Sequence, residues 1–297
     1  MRSPLDSPLR RILLPALVLA PTLALASAPA ASAGILTPQN RGGSPNAEKI
    51  HTLYLIALVI GFLIFLLVEG VLIYSLVKFR FRRGMAAPAQ VRGNTVLEVS
   101  WTVGAALILV VLATVTFLFL SGIKDPAPSL PNGLVAEQQQ SSGRTELASV
   151  NQPPPPGPAN THLTVNVNGQ QFIWRYDYPS APAQTFSYYD MYVPTNTTVV
   201  LNITSSDVVH AWWIPELGGQ ADATPGYVNH TWFRISKPGT YEGACAQICG
   251  KNHADMRARV IAVPPAQFRA WEAKQAAAIK QSEALLALSR KYRGQTP

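Results

Sequence analysis

Charged side chains are scarce in this sequence, at 13% of its 297 residues. Cysteine is scarcer still, with two residues, Cys245 and Cys249. A disulfide between two cysteines so close in sequence closes too short a loop to constrain the unfolded chain much, so this is not a disulfide-stapled scaffold. No Cys-x-x-Cys-His run occurs, which excludes a c-type haem fused to the chain. No lipobox cysteine is present either. The region 161–264 is about neutral, with six Lys and Arg against seven Asp and Glu. The formal excess of +8 lies instead in the N-terminus, the segment 78–92 and the C-terminal tail. With no basic face in the folded region, nucleic-acid binding is excluded. Proline is not lacking, and its 25 residues argue against an all-helical protein.

What is present in excess is apolar: 48% of residues, unevenly spread. Residues 1–33 read as a secretory signal peptide. Arg2, Arg10 and Arg11 form the charged start and Ile12 to Leu25 a short apolar run. Ala31-Ser32-Ala33 fits a cleavage site before Gly34. Pro15, Pro21 and the short run argue against an uncleaved anchor. An outer segment, 34–51, leads to the run 52–77, whose one ionisable side chain is Glu69. That run exceeds the ~20 residues that span a bilayer, and 99–123 forms a second such span. Lys78, Arg80, Arg82, Arg83 and Arg92 make 78–98 a basic cytoplasmic loop by the positive-inside rule. The mature N-terminus and everything after about residue 123 then face the outside of the membrane. Glu69 inside a span faces protein rather than lipid. Glu98, at the cytoplasmic entry of the second span, is either an interfacial charge or a proton collector.

Residues 124–160, with Gln138 to Gly143 and Pro153 to Pro156, bury too little apolar surface to fold alone and read as a linker. Residues 161–264 read as a compact β-domain. Strand patterns occur at Leu163–Val167, Phe172–Tyr178, Asp190–Val193, Thr197–Ile203, Trp232–Ile235 and Arg257–Val263. Short strands over such a length predict a Greek-key sandwich or barrel. Residues 265–297 read as a C-terminal helix and tail, with a loose apolar stripe at Phe268, Trp271, Ile279, Leu285, Leu286 and Leu288.

The chemistry concentrates in Cys245-Ala-Gln-Ile-Cys249-Gly-Lys-Asn-His253-Ala-Asp-Met256. Thiolate, imidazole and thioether together suit copper. A plain disulfide leaves His253 and Met256 unexplained. Structural zinc has little use for a thioether. A blue single-copper site needs one cysteine fewer. Two thiolates bridging two coppers need a second imidazole, and His51, His162, His210 and His230 are the candidates. His210 lies in a stretch, Asp207-Val-Val-His-Ala-Trp-Trp-Ile-Pro215, that reads as a turn between strands. His230 lies on a strand beside Trp232.

Across most of 50–264 the chain resembles subunit II of haem-copper cytochrome oxidases, as a divergent bacterial member. The twelve-residue run is similar to the family's Cys-x-Glu-x-Cys-Gly-x-x-His-x-x-Met motif. Asp207-Val-Val-His210-Ala-Trp212 with Asp222-Ala-Thr-Pro225-Gly226, and Leu97-Glu98-Val-Ser-Trp101-Thr102, match further family stretches. The resemblance implies a two-helix hairpin followed by a cupredoxin-like β-domain. It implies a binuclear copper centre with Cys245 and Cys249 bridging, His210 and His253 as terminal ligands, and Met256 and the Gln247 carbonyl as axial ligands. Glu98 matches a glutamate near a proton pathway of the large subunit. Four positions depart from the pattern. Gln247 replaces a glutamate that helps bind magnesium or manganese at the large-subunit contact, and an amide is a poorer ligand for such a hard cation. Phe172 stands where the family has the Trp that admits electrons, leaving Phe172 or Trp174 for that role. Gln220 replaces a frequent lysine, and Gly104-Ala105 a proline.

The function implied is electron entry from a cytochrome c-type donor, through copper, to haem in a large oxidase subunit that reduces oxygen to water. The alternatives are a copper subunit of a nitric oxide reductase of the same superfamily, a copper-free quinol oxidase subunit II, and a copper carrier. The full ligand set argues against the second, and the membrane hairpin against the third.

Overall fold

The computed structural model describes residues 43–80, 92–134, 162–179 and 185–293. The expected signal peptide, most of the basic loop and most of the linker lie outside the described residues. Among the described residues two long helices come first, α1 (Pro45–Lys78) and α2 (Thr95–Lys124). Proline opens α1, where its missing N–H would have had no helical partner. Asn94 caps α2: its side chain accepts from the Leu97 N–H, and Glu98 reaches back to accept from the Asn94 N–H, both at 3.2 Å. Neither helix buries its apolar middle within the chain. Ser100, Thr102, Thr114 and Thr116 each donate to the carbonyl four residues earlier, which satisfies these hydroxyls within the helix. Both helices are long and apolar enough to cross a bilayer, and they anchor the protein in a membrane.

Ten strands follow. They are β1 (His162–Gln170), β2 (Ile173–Tyr178), β3 (Thr185–Tyr188), β4 (Asp190–Pro194), β5 (Thr198–Ser205), β6 (His210–Trp213), β7 (Ala221–Ala223), β8 (Asn229–Arg234), β9 (Gly239–Cys245) and β10 (Arg257–Val263). They form two five-stranded sheets, ordered β3-β2-β1-β5-β8 and β4-β10-β9-β6-β7. The pairs β1/β5 and β4/β10 are parallel and the other neighbours antiparallel. Alternation decides which side chains face inward. Leu163, Val165 and Val167 of β1 are buried, and so are Trp174, Tyr176 and Tyr178 of β2. They meet Leu201, Ile203, Trp212, Phe233 and Val260 in one core between the sheets. The result is a cupredoxin-like β-sandwich.

A last helix, α3 (Pro265–Tyr292), lies against β3 and β4. Phe268 is buried, the Trp271 ring stacks on Tyr192 at 4.6 Å, and Gln275 donates to the Phe186 carbonyl at 2.8 Å. Beyond that the helix is solvent-exposed, with Leu285 60% accessible.

Three features differ from the sequence expectation. His210 opens strand β6 rather than sitting in a turn, because it pairs with Ala223 of β7. A strand of only four residues is too short for its alternation to show. The start of the linker is bonded to the domain: the Leu130 N–H donates to the Asn196 carbonyl at 2.8 Å, and Ser129 Oγ accepts from the Thr198 N–H at 2.9 Å. The helices are also tied to β8. The Trp232 indole donates to the Ile123 carbonyl at 2.8 Å, Asn46 donates to the Trp232 carbonyl at 2.7 Å, and the Arg234 N–H donates to Ser44 Oγ at 3.1 Å.

Candidate metal centre

β9 ends at Cys245 and β10 starts after Met256, so the ligand run is the loop joining two antiparallel neighbours. The Cys245 N–H donates to the Met256 carbonyl at 2.9 Å and closes the loop at its base. β6 pairs with β9 on the other side, with Trp212 opposite Cys245. The Ala246 N–H donates to the Ala211 carbonyl at 2.9 Å, extending that contact into the loop. This register carries His210 to Cys245 across 35 residues of sequence. Gly169 makes room for it, because a Cβ there would stand 2.9 Å from the His210 ring.

The donor atoms converge. Cys245 Sγ lies 3.8 Å from Cys249 Sγ, 3.9 Å from His210 Nδ1 and 3.2 Å from the Gln247 carbonyl oxygen. Cys249 Sγ lies 3.6 Å from His253 Nδ1 and 3.9 Å from Met256 Sδ. Both cysteines are free and buried, and the sulfur separation is far beyond the ~2.05 Å of a disulfide. Met256 is fully buried. His210, Cys245 and Cys249 form the one group of at least three His, Cys, Asp or Glu among the described residues that could hold a metal.

His210 Nε2 is 2.9 Å from Asp207 Oδ1 and donates its proton there, which turns the Nδ1 lone pair toward Cys245. Burial alone would raise the Asp207 pKa. The bond from His210 and those from the Gln171 and Val208 N–H groups outweigh it and lower the value to about 2. Burial, and then the neighbouring Cys245, push the Cys249 thiol up to about 11. A metal binding there takes the thiolate form and displaces the thiol proton.

The other expected residues fall as follows. The side chain of Gln247 is exposed, while its carbonyl turns inward to Cys245. Phe172 is half-buried in the turn after β1 and lies against Gly250. Trp174 is fully buried, its ring edge-on to His210 at 5.9 Å, so it offers a donor no surface. Glu98 caps α2. His230 stays on the other sheet, bonded to Asn202 at 2.9 Å, and His51 and His162 lie on α1 and at the start of β1. The sequence reading missed the roles of Asp207 and Gln171. The Asp-x-x-His spacing was the available signal for the first; for the second there was none.

Two thiols, two imidazoles, a thioether and a carbonyl aimed at one buried spot suit a copper pair better than zinc or a disulfide. They are carried by a cupredoxin-like sandwich that follows two helices apolar enough to span a bilayer. Comparison with known proteins agrees. The family model described as "Cytochrome C oxidase subunit II, periplasmic domain" matches residues 163–263, and its transmembrane-domain counterpart matches 33–119. Cytochrome c oxidase subunit 2 of Thermostichus vulcanus is 31% identical over 260 residues, covering 80% of this chain and 77% of that protein. The same subunit of Alkalihalophilus pseudofirmus is 30% identical over 246 residues, covering 82% of this chain and 63% of that longer protein. The solved periplasmic domain of cytochrome oxidase subunit II from Bradyrhizobium japonicum is 31% identical. It covers 38% of this chain and 92% of that one, with a TM-score of 0.37. The chain belongs to the cytochrome c oxidase subunit II family.

Proposed function

We propose that the chain is the electron-entry subunit of a bacterial terminal oxidase. It takes electrons from a cytochrome c-type donor outside the membrane and delivers them to haem in a large partner subunit, where oxygen is reduced to water. The observation that carries this reading is the convergence of Cys245, Cys249, His210, His253, Met256 and the Gln247 carbonyl in one buried site. Cys245, Cys249, His210, His253 and Met256, with the Gln247 carbonyl, would hold two copper ions, which would supply a one-electron couple at this site.

The chain's own residues set the conditions. The β9–β10 loop and β6 hold the donors in place before metal arrives. Asp207 keeps His210 in the ligating tautomer. The core rings Trp174 and Trp212 exclude water from behind the site. Around it, Phe172, Val208, Val209 and the 84% exposed Ile248 form an apolar rim suited to brief contact with a donor. We assign donor contact to Phe172, with Trp174 as a buried ring beside His210. Glu98 is assigned to proton entry at the opposite membrane face, where its helix-capping bond fixes the carboxylate. The exposed Gln247 side chain sits where the large subunit would meet the loop.

The test is metal content. The full chain in mild detergent, reconstituted with copper, should bind about two ions and turn purple, as thiolate-to-copper absorption requires. Uptake of zinc alone, or of no metal with reduced cysteines, would refute the reading.

A further inference from the structure

The turn between β1 and β2 reaches the metal loop from the other sheet. Gln171 in that turn bonds in two directions. Its side-chain Nε2 donates to the Cys249 carbonyl at 2.7 Å, and its backbone N–H donates to Asp207 Oδ2 at 2.7 Å. The first partner is the backbone of a thiol ligand. The second is the carboxylate that holds His210. One residue therefore touches both halves of a donor set that comes from two separate parts of the chain.

The peptide after Cys249 needs such a tie. Gly250 has φ of +136°, a conformation that side-chain-bearing residues rarely adopt. Glycine permits the sharp bend but does not hold the peptide in one orientation. A Cβ on Gly250 would lie 3.0 Å from both Gln171 Nε2 and Phe172 Cζ, so the turn and the loop are already in contact.

We propose that Gln171 is a positioning residue for the metal centre. Its amide fixes the Cys249–Gly250 peptide, and with it the direction of the Cys249 thiol. Its main chain at the same time fixes the carboxylate behind His210. Gln171 is not itself one of the metal-ligand donors; the inference rests on the copper reading above.

The test compares wild type, Gln171→Met and Gln171→Ala, each as the copper-loaded full chain in detergent. Methionine keeps the length and bulk of glutamine and removes the donor. Both variants should release copper to a chelator roughly ten-fold faster than wild type, the scale of losing one group behind a metal ligand. Their thiolate absorption bands should shift or broaden, while the metal-free forms unfold at the wild-type temperature. If Gln171→Met retains copper as wild type does, the amide is not needed and the proposal fails. If the metal-free variants lose stability in step with copper, Gln171 is only a folding residue and the proposal fails as well. A wild-type chain that takes up no copper defeats the copper reading and this proposal together, a result distinct from the other two.

Discussion

Asp207 decides which nitrogen of His210 faces the thiols. A neutral imidazole has one donor and one acceptor nitrogen, and the carboxylate claims the donor. Replacing Asp207 with Ala frees the ring to rotate or to change tautomer. Asp207→Ala should weaken copper binding by about 10–100-fold, read by chelator competition, while Asp207→Asn, which keeps an acceptor oxygen, should lose less. At this scale the sequence was partly legible. Cys245, Cys249, His253 and Met256 announce themselves because their spacing is local. His210 does not: four histidines competed for its place, and the resemblance singled it out. The structure explains the choice, since β6 pairs with β9 and β8 does not. The bonds of Asp207 and Gln171 join residues whose partners are set by the folded chain, and no local pattern encodes them.

Strand and helix patterns were easiest to read where one face is buried and the element is long. β1 alternates over nine residues, and both membrane helices are plain from hydropathy. β7 has three residues, too few for a period. β9, Gly-Thr-Tyr-Glu-Gly-Ala-Cys, carries two glycines and no apolar β-branched residue, yet it supplies the first thiol. The C-terminal helix shows the reverse problem. Its apolar stripe runs past the point where packing stops, so the sequence does not tell the docked half from the free half. Phe268 seals the β3–β4 side of the core against Tyr178, while Leu285, Leu286 and Leu288 are exposed. Phe268→Ala should therefore cost about 3 kcal/mol and lower the unfolding temperature of the β-domain. Ending the chain after Gln275 should leave that temperature nearly unchanged. Both are measured by the loss of near-ultraviolet circular dichroism on heating. Equal effects of the two changes would contradict this division of the helix.

Among the described residues, the two bilayer-length helices are hydrogen-bonded directly to the sandwich that carries the candidate metal centre. Ser44, Asn46 and Ile123 at the helix ends bond to Trp232 and Arg234 of β8, which sets the copper domain on the membrane helices. The sequence divided the chain into hairpin, linker and β-domain, but hydropathy carries no information about backbone bonds between them. The central claim is that electrons enter the oxidase through this chain's two-cysteine site. It is tested most directly by mixing a reduced c-type cytochrome, without oxygen, with intact complexes that carry wild-type chain or Cys249→Ser. Both complexes are first shown to hold the same haem content and subunits, and reduction of the partner's haem is followed by stopped-flow absorption. Wild type should reduce the haem rapidly, and Cys249→Ser should slow that step by roughly 100-fold or more, since a thiol of the donor set is lost. Haem reduction at the wild-type rate in the Cys249→Ser complex would contradict the account.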